Sequence, residues 1–84
     1  MAQKMLITKD QYWGLTPIGR ELHDYWQHHK PEMYRELHQD GALWRLIESK
    51  DKELDEMIIE LTPSLGIAGA MEVARSEIYD EMMD

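Results

Sequence analysis

Four histidines are the side chains in this chain best suited to hold a metal ion: His23, His28, His29 and His38. Helical zinc sites place two histidines four residues apart, so that both rings reach the same ion. His23 and His28 are five apart, and the adjacent His28 and His29 point about 100° from each other on a helix. We therefore expect no metal site and no other cofactor.

Nucleophilic catalysis requires a hydroxyl or thiol beside a general base. The chain has no cysteine, none of its serines or threonines adjoins a histidine, and none sits in a nucleophile elbow. Gly66 and Gly69 match neither a phosphate-binding loop nor a dinucleotide fingerprint. The sequence predicts that the protein is not an enzyme.

Carboxylates are the most abundant charged groups. Seventeen acidic against nine basic side chains give a net charge of −8, which repels phosphate backbones and disfavours direct nucleic-acid binding. Residues 1–42 carry six acids and five bases, whereas residues 43–84 carry eleven acids and four bases. The candidate partner contacts in this acidic half are Glu48, Asp51, Asp55, Glu56, Glu60, Glu77, Asp80 and Glu81.

Length and composition indicate one domain, residues 1–84, in a reducing cytoplasm. No cysteine is present, no run approaches the roughly 20 apolar residues that span a bilayer, and residues 1–7 do not resemble a signal peptide. Seven Met and three Trp with no Phe form an unusual apolar set. Such side chains are common at binding surfaces, and they also fill irregular small cores.

The elements that must position these groups are predicted to be helices, preceded by an extended arm over residues 1–15. The helical core, residues 16–84, begins with Thr16 as N-cap and Pro17 at the first helical position. This first helix should end near His29. Its apolar face comprises Ile18, Leu22, Tyr25, Trp26 and His29.

Proline and glycine divide the rest of the chain. A short helix should begin at Pro31 and end at Gly41, followed by a long helix from Ala42 to about residue 61. The segment 62–64 contains Pro63 and is predicted to break that helix. A last helix should run from Ile67 to about residue 82. The expected fold class is all-α, a small bundle of three to four helices that a partner chain could complete.

Two blocks share their residue types and spacing with a known family. The first comprises Gly19-Arg20, Tyr25-Trp26, His29-Lys30-Pro31, Tyr34, Leu37, Gly41 and Leu43, and the second is residues 70–79, which end in Glu-Ile-Tyr. In both blocks the chain resembles the TnpV family of small proteins encoded on bacterial transposons. The resemblance implies a mobile-element or phage context, and it brings no catalytic residues.

Most of the first block directs the chain or joins helices. The side chains in it that remain as candidate partner contacts are Arg20, Trp26, His29 and Lys30.

Three hypotheses for function follow. The first is a non-catalytic module that binds a host or mobile-element protein. The second is an acidic inhibitor that mimics nucleic acid and blocks a host nuclease or nucleic-acid-binding protein. The third is a homodimer in which the long helix pairs with its symmetry mate, and this is compatible with either of the others.

Overall fold

The computed structural model describes residues 5–81, and the side chains of residues 5–79. This part of the chain forms four helices and no strand: α1 Lys9–Gly14, α2 Pro17–His29, α3 Pro31–Gln39 and α4 Leu43–Glu81. The predicted all-α class is confirmed.

Helix α1 replaces much of the predicted extended arm. It begins with a capping box, in which the Thr8 hydroxyl accepts the Gln11 N–H at 3.0 Å and the Gln11 side chain accepts the Thr8 N–H at 2.9 Å. This reciprocal pair satisfies two amides that a helix start leaves unpaired. Six residues are too few to show a hydrophobic period, which is why the pattern of the sequence did not predict this helix.

Helices α2 and α3 begin and end close to their predicted positions. The Thr16 hydroxyl caps α2, and prolines occupy the first positions of both helices. Helix α3 ends in a Schellman motif, where Gly41 has φ of 74° and Ala42 N–H bonds to the Leu37 carbonyl at 2.9 Å. Glycine accepts this left-handed conformation without a steric cost from Cβ.

Helix α4 is a hairpin of two limbs that meet at Gly66, whose φ of 74° and ψ of 166° are not helical. A straight helix of 39 residues would be about 58 Å long, whereas the longest dimension of the molecule is 40 Å. Leu54 and Ile78 lie equally far from Gly66 along the chain and line the same cavity, so the limbs are antiparallel.

The break in α4 was predicted at Pro63, and that position is wrong. Pro63 lies inside the helix, one residue after Thr62, whose hydroxyl donates a hydrogen bond to the Ile58 carbonyl. A proline removes one backbone hydrogen bond and bends a helix without turning the chain back, whereas reversal of the chain needs the positive φ that glycine adopts freely.

The core lies where α2 packs against both limbs of α4. Ala70 and Ala74 are fully buried, and their small side chains allow the second limb to approach closely. The remaining buried apolar residues are Ile7, Leu15, Ile18, Leu22, Trp26, Tyr34, Leu43, Ile47, Leu54, Ile58 and Ile78.

Candidate interaction surface

The buried side chain of His23 in α2 forms hydrogen bonds through both of its ring nitrogens. Its Nε2 lies 2.7 Å from Tyr34 Oη, and its Nδ1 lies 3.1 Å from Asp24 Oδ1. Tyr34 Oη also accepts the Leu6 N–H at 2.9 Å, and Tyr12 Oη donates to the Asp24 carboxylate at 3.1 Å. These groups, hereafter the His23 network, join the N-terminal segment and α1 to α2 and α3.

The hydrogen-bond partners assign the protons in this network. The Asp24 carboxylate can only accept, so the proton assigned to His23 is placed on Nδ1, which donates to it. Nε2 of the neutral imidazole then accepts the Tyr34 O–H, while Tyr34 Oη accepts the Leu6 N–H. Each polar group in this series of hydrogen bonds, from the Leu6 N–H through Tyr34 and His23 to the Asp24 carboxylate, therefore has a partner, as buried polar groups require.

The order hydroxyl, imidazole, carboxylate is that of a nucleophilic triad. Here, however, the Tyr34 ring is buried against His23, and the residue is only 2 % exposed. Burial raises the pKa of the Tyr34 hydroxyl above its ordinary value of 10.0, the direction opposite to activation of a nucleophile. The arrangement can hold three helices together, and it offers no attacking group to a substrate.

Asp51 of α4, one of the acids predicted to contact a partner, is hydrogen-bonded to Thr16 at the N-terminus of α2. Asp51 Oδ1 accepts the Thr16 hydroxyl at 2.6 Å, and Asp51 Oδ2 accepts the Thr16 N–H at 3.4 Å. A Cβ at Gly19 would collide with this carboxylate. The negative charge also lies at the positive end of the α2 dipole. Asp51 is therefore a fixed link between α2 and α4, which corrects its assignment to a free acidic face.

Arg20 and Trp26 also make internal contacts. Arg20 donates to the Leu15 carbonyl at 2.8 Å, and its guanidinium lies 5.1 Å from the ring centre of the exposed Trp13. Trp26 is 2 % exposed, so its prediction as a surface contact is wrong. No described residue accepts a hydrogen bond from its indole N–H. The large apolar area of the ring offsets the cost of that unpaired donor.

Tyr25 and His29 lie on α2 beside its buried residues and reach the surface. His29 is exposed and stacks on Tyr25 at 4.7 Å, and Tyr25 meets the edge of Tyr79 from α4 at 5.0 Å. About one helical turn before Tyr25, Glu21 accepts a hydrogen bond from Arg75 Nε at both carboxylate oxygens, the shorter distance being 2.9 Å. The ring contacts of Tyr25 with Tyr79 and the ion pair of Glu21 with Arg75 thus join α2 to the second limb of α4.

Lys30 is half-buried between α2 and α3. Together with His29 it lines an open depression at the start of α3. Of the four candidate contacts in the first block, His29 is exposed and Lys30, like Arg20, is half-buried.

Most of the predicted acidic contacts lie on the solvent side of α4. Asp55 is half-buried, and the exposed ones are Glu48, Glu56, Glu60 and Glu77. Asp80 and Glu81 belong to the last turn of α4, but their side chains lie outside the described residues. Within the described residues, no three His, Cys, Asp or Glu side chains are grouped so that they could hold a metal ion.

The turn of the α4 hairpin is a feature that sequence reasoning missed. Ile59, Leu65 and Ile67 are 63 %, 50 % and 63 % exposed, and every residue from Pro63 to Ala68 is exposed. Hereafter residues 59–68 are called the hairpin tip. The isoleucines and leucines near Pro63 could have indicated an apolar patch in the sequence. Their exposure could be inferred only once the chain reversal was known to lie at Gly66.

One helix of the described chain, Leu43–Tyr79, is long and apolar enough to cross a membrane by length and composition. It contains the reversal at Gly66, so it is not one continuous rod here. This is weak evidence for a membrane segment, because long helices of soluble proteins have similar compositions.

Comparisons of the chain with protein-family models, with curated proteins and with solved structures found no match. The resemblance to the TnpV family stays a prediction.

Proposed function

We propose that this chain is a non-catalytic interaction protein that binds a protein partner through the hairpin tip. The observation that carries the proposal is the exposure of Ile59, Leu65 and Ile67 at one end of a molecule whose other large aliphatic residues mostly enter the core. Exposed apolar patches on small proteins commonly mark protein interfaces. The resemblance to TnpV proteins supports a mobile element or phage, and hence the cytoplasm, as its setting.

The internal use of the polar groups supports a non-catalytic role. The hydroxyl, imidazole and carboxylate of the His23 network bond to one another, and Arg20 bonds to the backbone of its own chain. A catalytic site would direct such groups toward a substrate cavity.

The test compares a tip variant with a matched variant elsewhere on α4. Ile59→Ser/Ile67→Ser removes apolar area from the tip, whereas Leu46→Ser changes a side chain that is 37 % exposed on the first limb. Each tagged protein is used for affinity capture from an extract of its host, followed by mass spectrometry, after circular dichroism has shown equal helicity. We expect the captured partner to be lost from the tip variant alone. The same partner retained by all three proteins would exclude the tip as the docking surface.

A second candidate function is that of an acidic inhibitor, which occupies the basic groove of a host nuclease. Glu56 and Glu60 are exposed about one helical turn apart on the first limb, so they lie on one face of α4 as adjacent negative charges. Addition of the protein to a nuclease assay at low salt would then lower the cleavage rate. The variant Glu48→Gln/Glu56→Gln/Glu60→Gln should restore that rate, and no effect of the unaltered protein would exclude this function.

A further inference from the structure

The shape of the hairpin tip restricts the surface that it can meet. Residues 63–68 form a continuous exposed turn, and Gly66 reverses the chain there. Leu65 lies against Gly69, where a Cβ would come within 3.0 Å of the Leu65 Cβ, so the two limbs separate little at the turn. A narrow projection of this kind buries its apolar side chains when it enters a concave cleft.

The charge around the tip restricts the chemistry of that cleft. Residues 53–74 contain five acids and no Lys or Arg: Glu53, Asp55, Glu56, Glu60 and Glu72. The nearest bases on α4 are Lys52 and Arg75, and Arg75 already bonds to Glu21. The apolar tip is thus bordered by negative charge.

This charge argues against two other occupants. A second copy of the chain, docked tip to tip about a two-fold axis, would bring the same carboxylates together, and like charges brought together at an interface are unfavourable. An anionic bilayer would repel the tip for the same reason. A protein surface with positive charge has the complementary potential.

We propose that the occupant of the hairpin tip is an apolar cleft on a protein whose rim carries Lys and Arg side chains. This inference rests on the proposed function and names the chemistry of its partner. Ile59, Leu65 and Ile67 enter the floor of the cleft, while Glu56, Glu60 and Glu72 face its rim. The apolar contacts supply most of the affinity, and the ion pairs set orientation and association rate.

The experiment uses defined probes that carry this chemistry. A fluorescent amphipathic peptide of Leu and Lys, whose Leu face is bordered by Lys, is titrated with the full-length protein, and its anisotropy is measured. A peptide with Glu in place of every Lys is the matched control. We expect binding of the Leu/Lys peptide only, and weaker binding as salt rises because the exposed charges are screened.

Variants locate the binding on the molecule. Ile59→Ser/Ile67→Ser should weaken binding about tenfold, the result of losing roughly one buried aliphatic side chain. Glu56→Gln/Glu60→Gln should weaken it and flatten its salt dependence. Leu46→Ser, and Glu32→Gln/Glu36→Gln on α3, change exposed side chains of the same kinds away from the tip and should alter binding less than twofold.

Several results would overturn the inference. One is equal weakening by the tip and control variants, and another is equal binding of the Leu/Glu peptide. Light scattering that shows a dimer of the unaltered protein and a monomer of Ile59→Ser/Ile67→Ser would identify a second copy as the occupant. Co-sedimentation with phosphatidylglycerol vesicles that the same variant abolishes would identify a bilayer. If host capture still depends on the tip while the Leu/Lys peptide does not bind there, the proposed function stands and the basic rim is excluded.

Discussion

The His23 network and the hairpin tip place polar and apolar groups in opposite ways. Around His23, an imidazole and a tyrosine hydroxyl are buried and bonded to each other. At the tip, isoleucine and leucine side chains lie in solvent. Burial of matched polar groups gives a unique arrangement of helices, whereas exposed apolar area gains free energy only when another surface covers it. The comparison separates the part of the chain that holds the fold from the part available to a partner.

The largest effect on stability should come from His23→Ala, which breaks the network at its centre. It empties a fully buried site and leaves Tyr34 Oη and Asp24 without their imidazole partner. We expect a loss of about 3 kcal/mol in the free energy of unfolding. Urea denaturation followed by circular dichroism measures it. His28→Ala, at an exposed position of the same helix, is the control and should change stability by less than about 0.5 kcal/mol.

Gly19→Ala tests the contact between α2 and α4. The added methyl group would collide with the Asp51 carboxylate and displace it from Thr16. Overpacking of this kind costs about 1–3 kcal/mol, and part is offset by the higher helix propensity of alanine. Thermal denaturation should show a lower melting temperature. Gly14→Ala has no neighbour within 4 Å and should not lower it.

A second variant distinguishes the collision from a general intolerance at position 19. In the Asp51→Ala background, Gly19→Ala should cost less, because the carboxylate is gone and only the Cβ of residue 51, 3.0 Å from the added methyl group, remains. An undiminished cost there would contradict the assigned contact.

Alkaline pH should destabilise the network end of the molecule. Burial raises the pKa of Tyr34, and burial together with the Asp24 carboxylate raises the pKa of Tyr12, each above the ordinary 10.0. The folded state then keeps protons that the unfolded state releases. The free energy of unfolding should therefore be insensitive to these groups below about pH 10 and should fall as the pH rises above it. Tyr34→Phe should reduce that slope in urea titrations, and an unchanged slope would contradict its assignment to the Tyr34 hydroxyl.

The smallest effect on stability should come from the tip. Ile59→Ser and Ile67→Ser change side chains that are each 63 % exposed, so each variant should remain within about 0.5 kcal/mol of the unaltered protein. Urea denaturation measures this difference. A loss near that of His23→Ala would mean that the tip belongs to the core, and the contrast between the two regions would disappear.

The sequence by itself determined the helical class and several helix ends. Thr16, Pro17, Pro31 and Gly41 act through their own backbone and nearest neighbours, so their predicted roles are confirmed. The capping box at Thr8 is equally local, and its motif was readable in the sequence. The motif alone did not predict α1, because a helix of six residues is too short to show a hydrophobic period.

Only the tertiary structure decided which face of α2 is buried. The hydrophobic pattern grouped Tyr25 and His29 with Ile18, Leu22 and Trp26. In the fold, the buried rows are 18, 22, 26 and 19, 23, 27, while Tyr25 and His29 lie at the edge. The buried face of α2 is rotated toward Gly19, His23 and Gln27. None of these residues is apolar enough to predict a buried face from the sequence.

Distant partners are the reason for that rotation. Tyr34 and Asp24 satisfy the buried His23, and Gly19 leaves room for the carboxylate of Asp51 from the far side of the core. A pattern of hydrophobicity records the average preference of each side chain for water, and it holds no information on which distant group will pair with it. The starts and ends of α2 and α3 were therefore predictable from the chain alone. The burial of Trp26, the bonds of Asp51 and the exposure of the tip required the packing of all four helices.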